Sequence, residues 1–201
     1  MTILFTGFDP FGGENTNASF EAVKRLPDEI GGAKIVKAEL PTEYARGPQV
    51  LKELIETHKP DAVVCVGQAA GRGGITPEKV AINFADARIA DNAGFQPQDE
   101  LLAETGETAY FSTLPVRKIV NALEEAGITA SLSLSAGAFV CNCVMYHALA
   151  MAKTAKKPFI AGFIHVPLLP SQVKAEKPLP SMELDTIVKG LQIAAEAIAK
   201  E

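Results

Sequence analysis

Apolar positions fall into two alternating kinds of run along the chain. Thr2 to Phe8 is a short apolar stretch, closed by the turn-forming Asp9-Pro10-Phe11-Gly12-Gly13, and reads as a strand. Asn17 and Ser19 are suited to cap a helix running to about Leu26. Ile35 to Leu40 predicts a second strand. Pro48 to about His58 predicts a helix, because Val50, Leu51, Leu54 and Ile55 share one face. Asp61 to Gly67 (DAVVCVG) is a continuous β-branched run, as in a strand buried on both faces.

Residues 68–100 break this rhythm with Gly, Asn, Asp and Pro around short pieces such as Val80-Ala81-Ile82. A long irregular segment inside a compact domain is more often functional than idle. Regularity returns with a helix from about Pro115 to Ala126, a strand over Ile128 to Leu134 and a bend at Ser135-Ala136-Gly137. A helix follows from near Phe139–Cys141 to about Lys153, then a strand over Phe159 to Val166 and a final helix over Glu183 to Lys200. This order implies one α/β domain over residues 1–201, with a mostly parallel sheet covered by helices on both faces. Ligands in such sheets sit beyond the carboxyl ends of the strands.

Composition narrows the function. The 47% hydrophobic and 21% charged fractions are those of an ordinary globular chain. A net charge of −5, without a basic patch, argues against nucleic acid as partner. No run of about 18 apolar residues could span a membrane, and the N-terminus does not read as a signal peptide. Three cysteines, an odd number, fit a reducing compartment, so the cytoplasm is expected.

The few Cys and His residues can be weighed one by one. Cys65 lies within a buried strand, where a thiol is usually inert packing, and His58 ends a surface helix. Cys141 follows a strand, a bend and two apolar residues. It should therefore sit at a helix N-terminus, where free amides and the helix dipole favour thiolate and can hold an oxyanion. His165, just before Val166-Pro167, should lie on the same strand-end rim and can exchange a proton with that thiol. Cys143 and His147 share a helix face, but two ligands do not make a zinc site, and Cys143 points about 200° away from Cys141. They read as packing and surface residues. A third group should orient the imidazole, and Glu78, Asp86 and Asp91 are all available, with Arg72 and Arg88 as nearby cations. Spacing alone leaves that choice open. Neither FDPFGG nor GQAAGRGG forms a phosphate-binding loop.

Taken together, GFDPFGG with Asn17, GQAAGR, TPEKVAINFADARIADN, AGAFVCN and GFIHVP resemble the pyroglutamyl peptidase type I family, in order from near residue 5 to about 170. The resemblance implies a three-layer α/β/α sandwich around a twisted mixed sheet, assembled as a homotetramer. It implies hydrolysis of the bond after an N-terminal pyroglutamyl residue of peptides, with no cofactor and no metal. Cys141, His165 and Glu78 match the catalytic positions, and Arg88 matches an arginine near the cysteine. Phe8, Phe11 and Phe139 match the aromatic lining of the lactam pocket, and Asn17 and Gln68 match polar positions beside it. Ala18 and Ala90 stand where the family pattern has proline, and Gly73-Gly74 loosens the loop before Glu78. Two other readings are a nucleoside phosphorylase or hydrolase on a similar sheet, and a binding module without turnover. The first would survive loss of Cys141, and the second would lack a reactive thiol.

Overall fold

The computed structural model describes residues 1–200 except 175 and 177. Strand β1 (Thr2–Phe8) leads into helix α1 (Ala18–Val23), then β2 (Glu29–Ile30), β3 (Ala33–Leu40), α2 (Arg46–His58) and β4 (Ala62–Gln68). Three short strands follow: β5 (Thr76–Glu78), β6 (Val80–Ile82) and β7 (Ala109–Phe111). Helices α3 (Val116–Glu125) and α4 (Val140–Thr154), strand β8 (Ile160–Val166), a 3-10 turn over Pro170–Gln172 and helix α5 (Leu184–Ala199) complete the order.

The main sheet has six strands in the order β2-β3-β1-β4-β8-β5. Pairings β3-β1, β1-β4 and β4-β8 are parallel, whereas β2 and β5 run antiparallel at the two edges. Period-two alternation sends the two sides of each strand into two cores. Ile3, Phe5, Val64, Val66, Ile164 and Val166 face one, closed by α1, α3 and α5. Leu4, Val63, Cys65, Ala161 and Phe163 face the other, closed by α2 and α4. Helices on both faces of a mostly parallel mixed sheet make the three-layer α/β/α sandwich.

The alternation decides which residues meet. Gly67 follows Val63 and Cys65 on the α4 side of β4, and His165 follows Ala161 and Phe163 on the α4 side of β8. Gly67 and His165 are register partners in the parallel ladder. In the antiparallel ladder to β5, Thr76 pairs with His165 and Glu78 with Phe163, which turns both β5 side chains to the same face. One end of the sheet thus presents four adjoining positions to the start of α4.

The strand expected over Ile128 to Leu134 is not continuous. This segment touches β5 through two isolated parallel bridges, Ile75 to Ala130 and Glu78 to Ser133. Ile75 N–H donates to Thr129 O at 2.9 Å and Lys79 N–H to Ser133 O at 2.8 Å. The rung between them falls on Pro77, which has no N–H to donate, so the ladder breaks in the middle. Further elements lie outside the expected set: the two-residue β2, the three-residue β5, and a small antiparallel sheet of β6 and β7.

Candidate active site

Helix α4 begins after Phe139, whose backbone is extended (φ −93°, ψ −168°) and whose side chain offers no cap. The N–H of Cys143 donates to Phe139 O, so the amides before it have no intrahelical acceptor and point toward the strand ends. Asn142 anchors this first turn: its Nδ2 donates to Ile82 O (2.9 Å) and Phe84 O (3.0 Å), and its Oδ1 accepts from Ile82 N–H (3.0 Å).

Cys141 is half-buried and its sulfur rests on Gly67. A Cβ at position 67 would lie 3.0 Å from Cys141 Sγ and 2.7 Å from Phe163 Cζ. The thiol therefore occupies the space that a side chain would take directly beside His165. His165 is buried, its ring stacked at a tilt on Phe163 with centroids 4.8 Å apart. Its Nδ1 lies 2.7 Å from Glu78 Oε1, and Glu78 is fully buried. Arg72 Nη1 donates to the same Oε1 at 2.5 Å.

Burial works to raise the Glu78 carboxyl, but the hydrogen bond and charge of His165, then the Ser133 side chain and Arg72, outweigh it and hold the group below its usual range. Burial pushes the His165 imidazole below its ordinary value, against the opposing pull of Glu78. At neutral pH the pair is thus carboxylate and neutral imidazole. Nδ1–H donates to Glu78, which leaves Nε2 as the free base.

The expectation that the helix N-terminus keeps Cys141 as thiolate needs correction. Burial, then the Glu78 charge, push the thiol up to about 12. Removal of the sulfur from water and a nearby carboxylate outweigh the amides and Arg72. Cys65 and Cys143 are likewise pushed up by burial to about 12. A thiol pushed up beside an imidazole pushed down favours the neutral pair at rest, with thiolate forming as its proton moves to the base.

The remaining expected positions divide. Phe11 and Phe139 pack together at 5.9 Å between centroids, with Tyr44 edge-on to Phe139 at 5.6 Å. Phe11, Gln68, Ile89, Leu168 and Gln172 line a cleft of about 440 Å3. Phe8 is instead 2% exposed and packs on Phe163, beneath the site rather than on its wall. Asn17 is an N-cap: Oδ1 accepts from Ser19 N–H at 3.1 Å and Nδ2 donates to Asp9 O at 2.9 Å. Gln68 Oε1 accepts from Ala18 N–H (2.9 Å) and Gln172 Nε2 (3.0 Å), while its own Nε2 has no protein partner among the described residues.

Arg88 is exposed and joins no carboxylate among the described residues. Its loop is tied to the start of α4 through Asp86 N–H on Ala138 O (3.1 Å). Asp91 is occupied elsewhere, accepting from the N–H groups of Tyr44, Ala93 and Phe95. Asp86 is exposed. Sequence reasoning weighed Arg72 only as a nearby cation and gave Asn142 no role, although both lie in the GQAAGR and AGAFVCN segments. Cys143 is buried, its thiol donating to Tyr44 O, and no three His, Cys, Asp or Glu residues among those described gather around a metal position.

A mostly parallel sheet that gathers a thiol, an imidazole and a buried carboxylate at one strand-end rim defines a class, the cysteine hydrolases. The chain belongs to the pyroglutamyl peptidase family, which it matches over residues 1–201. It is 53% identical over 201 residues to a pyrrolidone-carboxylate peptidase of Thermosipho africanus, covering 100% of this chain and 98% of the relative. It is 52% identical to that of Lactobacillus johnsonii, covering 100% and 93%. The crystal structure of Bacillus amyloliquefaciens pyroglutamyl peptidase I superposes with a TM-score of 0.96 at 45% identity, covering 100% of this chain and 97% of that one. A mutant pyrrolidone carboxyl peptidase from P. furiosus gives 0.96 at 40% identity, covering 100% and 99%.

Proposed function

We propose that residues 1–201 form one peptidase domain that hydrolyses the bond after an N-terminal pyroglutamyl residue, with Cys141 as nucleophile, His165 as acid and base, and Glu78 as orienting carboxylate. The observation that carries this reading is the cluster itself: Cys141 Sγ against Gly67, the register partner of His165, with Nδ1 2.7 Å from Glu78.

As the sulfur attacks the carbonyl carbon, its proton passes to His165 Nε2 and a C–S bond forms. Glu78 stabilises the resulting imidazolium. The uncapped amides at the start of α4 hold the oxyanion, and Arg88, on the loop bonded to Ala138, is assigned to support it. Collapse breaks the C–N bond, and the imidazolium protonates the departing amine. Water, deprotonated by His165, then cleaves the thioester and releases pyroglutamate.

A pyroglutamyl ring carries no cationic amine, so its pocket needs flat apolar walls and a few polar groups. Phe11 and Phe139 supply walls. The unpartnered Nε2 of Gln68 is suited to donate to the lactam carbonyl, and would be left unsatisfied by a plain proline ring. Phe8 acts from behind, through Phe163, and Asn17 by holding the turn that carries Phe11. An attacking thiol must stay reduced, which favours the cytoplasm, and the family resemblance favours a homotetramer. Hydrolysis of a pyroglutamyl-arylamide alongside its prolyl counterpart tests the proposal. Turnover of the first alone, abolished by Cys141→Ala, is expected; equal turnover of both, or an active Cys141→Ala protein, would refute it.

A further inference from the structure

We infer that Arg72 is a positioning residue for this reaction, a single cation that ties the carboxylate behind His165 to the bend that delivers Cys141. The inference rests on the reading of the site given above. Arg72 Nη1 donates to Glu78 Oε1 and to Thr76 Oγ1, both at 2.5 Å, and Nη2 donates to Ser135 O at 3.0 Å. Thr76 is the β5 register partner of His165, and Ser135 opens the bend that runs into α4. The three acceptors belong to the base side and the nucleophile side of the site, which are otherwise separate in the chain. A guanidinium reaches them because its donors diverge in one plane, which an ammonium cannot reproduce.

This is not a surface ion pair. The Glu78 side chain is 0% exposed and that of Arg72 29%. Both bonds of the carboxylate converge on Oε1, while Oε2, also buried, finds no partner among the described residues. Loss of the arginine would leave a buried charge with only the imidazole and the Ser133 hydroxyl to stabilise it.

The charged groups that act on His165 are Glu78 on β5 and Arg72 on the β4–β5 loop; Cys141 on α4 lies against Gly67, the register partner of His165, and Cys65 lies two residues before Gly67 on the same face of β4. Among them Arg72 is the one cation. It offsets part of the Glu78 charge, so the imidazole stays neutral and able to accept a proton. Without it the carboxylate favours imidazolium, and the free base appears only at higher pH. A residue that merely supports folding would not move that titration.

The test compares wild type, Arg72→Met, Arg72→Lys and Cys141→Ala on a pyroglutamyl-arylamide, with rates normalised to folded protein and the His165 ring titrated by NMR. Arg72→Met should lower kcat about 10- to 100-fold with KM changed by less than about 2-fold. The acid limb of kcat/KM and the His165 titration should both move up by roughly half a pH unit or more. Arg72→Lys should return the titration toward wild type but recover only part of kcat, because the Ser135 arm is lost. If Arg72→Met does not fold, the lysine variant decides: wild-type kcat in it overturns the inference. So does an Arg72→Met protein with an unmoved titration, or one altered in KM alone. An inactive wild type would instead remove the underlying reading of the site.

Discussion

Gly67→Ala isolates the contact that brings thiol and imidazole together. The new methyl would stand 2.7 Å from Phe163 Cζ and 3.0 Å from Cys141 Sγ, both tighter than ordinary van der Waals contact. Phe163 is fully buried and already packed against Phe8 and His165, so it cannot swing aside. Overpacking of this kind costs about 1–3 kcal/mol. Loss of glycine freedom in the unfolded chain offsets about 0.4–1 kcal/mol of that. The net cost is about 0–2.6 kcal/mol, and with about 2–4 °C per kcal/mol for a chain of this size, Tm should fall by up to about 10 °C. The functional effect is read separately, in turnover. Displacing the sulfur by a few tenths of an ångström should cost about 4- to 10-fold in kcat, given that about 1 Å costs about 100-fold. Thermal denaturation and pyroglutamyl-arylamide turnover, measured on folded protein, check both numbers. A Gly67→Ala enzyme with wild-type kcat would refute the placement of Sγ against β4.

Iodoacetamide should label Cys141 before Cys65 and Cys143; because burial raises all three thiols, the order follows access, and peptide mapping that finds equal labelling would count against the site. The pH profile of kcat/KM should have an acid limb below the ordinary imidazole value of 6.5, since activity appears as His165 loses its proton and burial lowers that transition; a limb above 6.5 would contradict the neutral-imidazole ground state. Ala18→Pro removes the N–H that holds Gln68 Oε1, a loss of about 0.5–1.5 kcal/mol, but gains about 0.4–1 kcal/mol from a fixed φ at the first helical position. Its Tm should thus change little while KM for pyroglutamyl substrate rises, and an unchanged KM would show that Gln68 needs no such anchor.

Local patterns carried most of the fold. Thr2 to Phe8 is a strand with the expected bounds, and the start of α4 falls where the Gly137 bend and apolar Phe139-Val140 put it. Long-range pairing was less legible. β5 is three residues long and contains a proline, so nothing local marks it as the strand that meets β8 across 87 positions. That pairing is what brings Glu78, rather than Asp86 or Asp91, to His165, and spacing could not choose among them. The same proline interrupts the ladder to residues 128–134, whose apolar run still reads as a full strand. The charge state of Cys141 failed for a different reason. A helix N-terminus is visible in sequence, but the depth of the sulfur and its distance from a carboxylate are not, and these decide the titration.

The most direct measurement is to quench the enzyme during turnover of a pyroglutamyl ester and map the adduct by mass spectrometry. A pyroglutamyl thioester on the peptide containing Cys141, absent from Cys141→Ala, is the predicted result. Steady turnover with the adduct on another residue, or undiminished turnover in Cys141→Ala, would contradict the account.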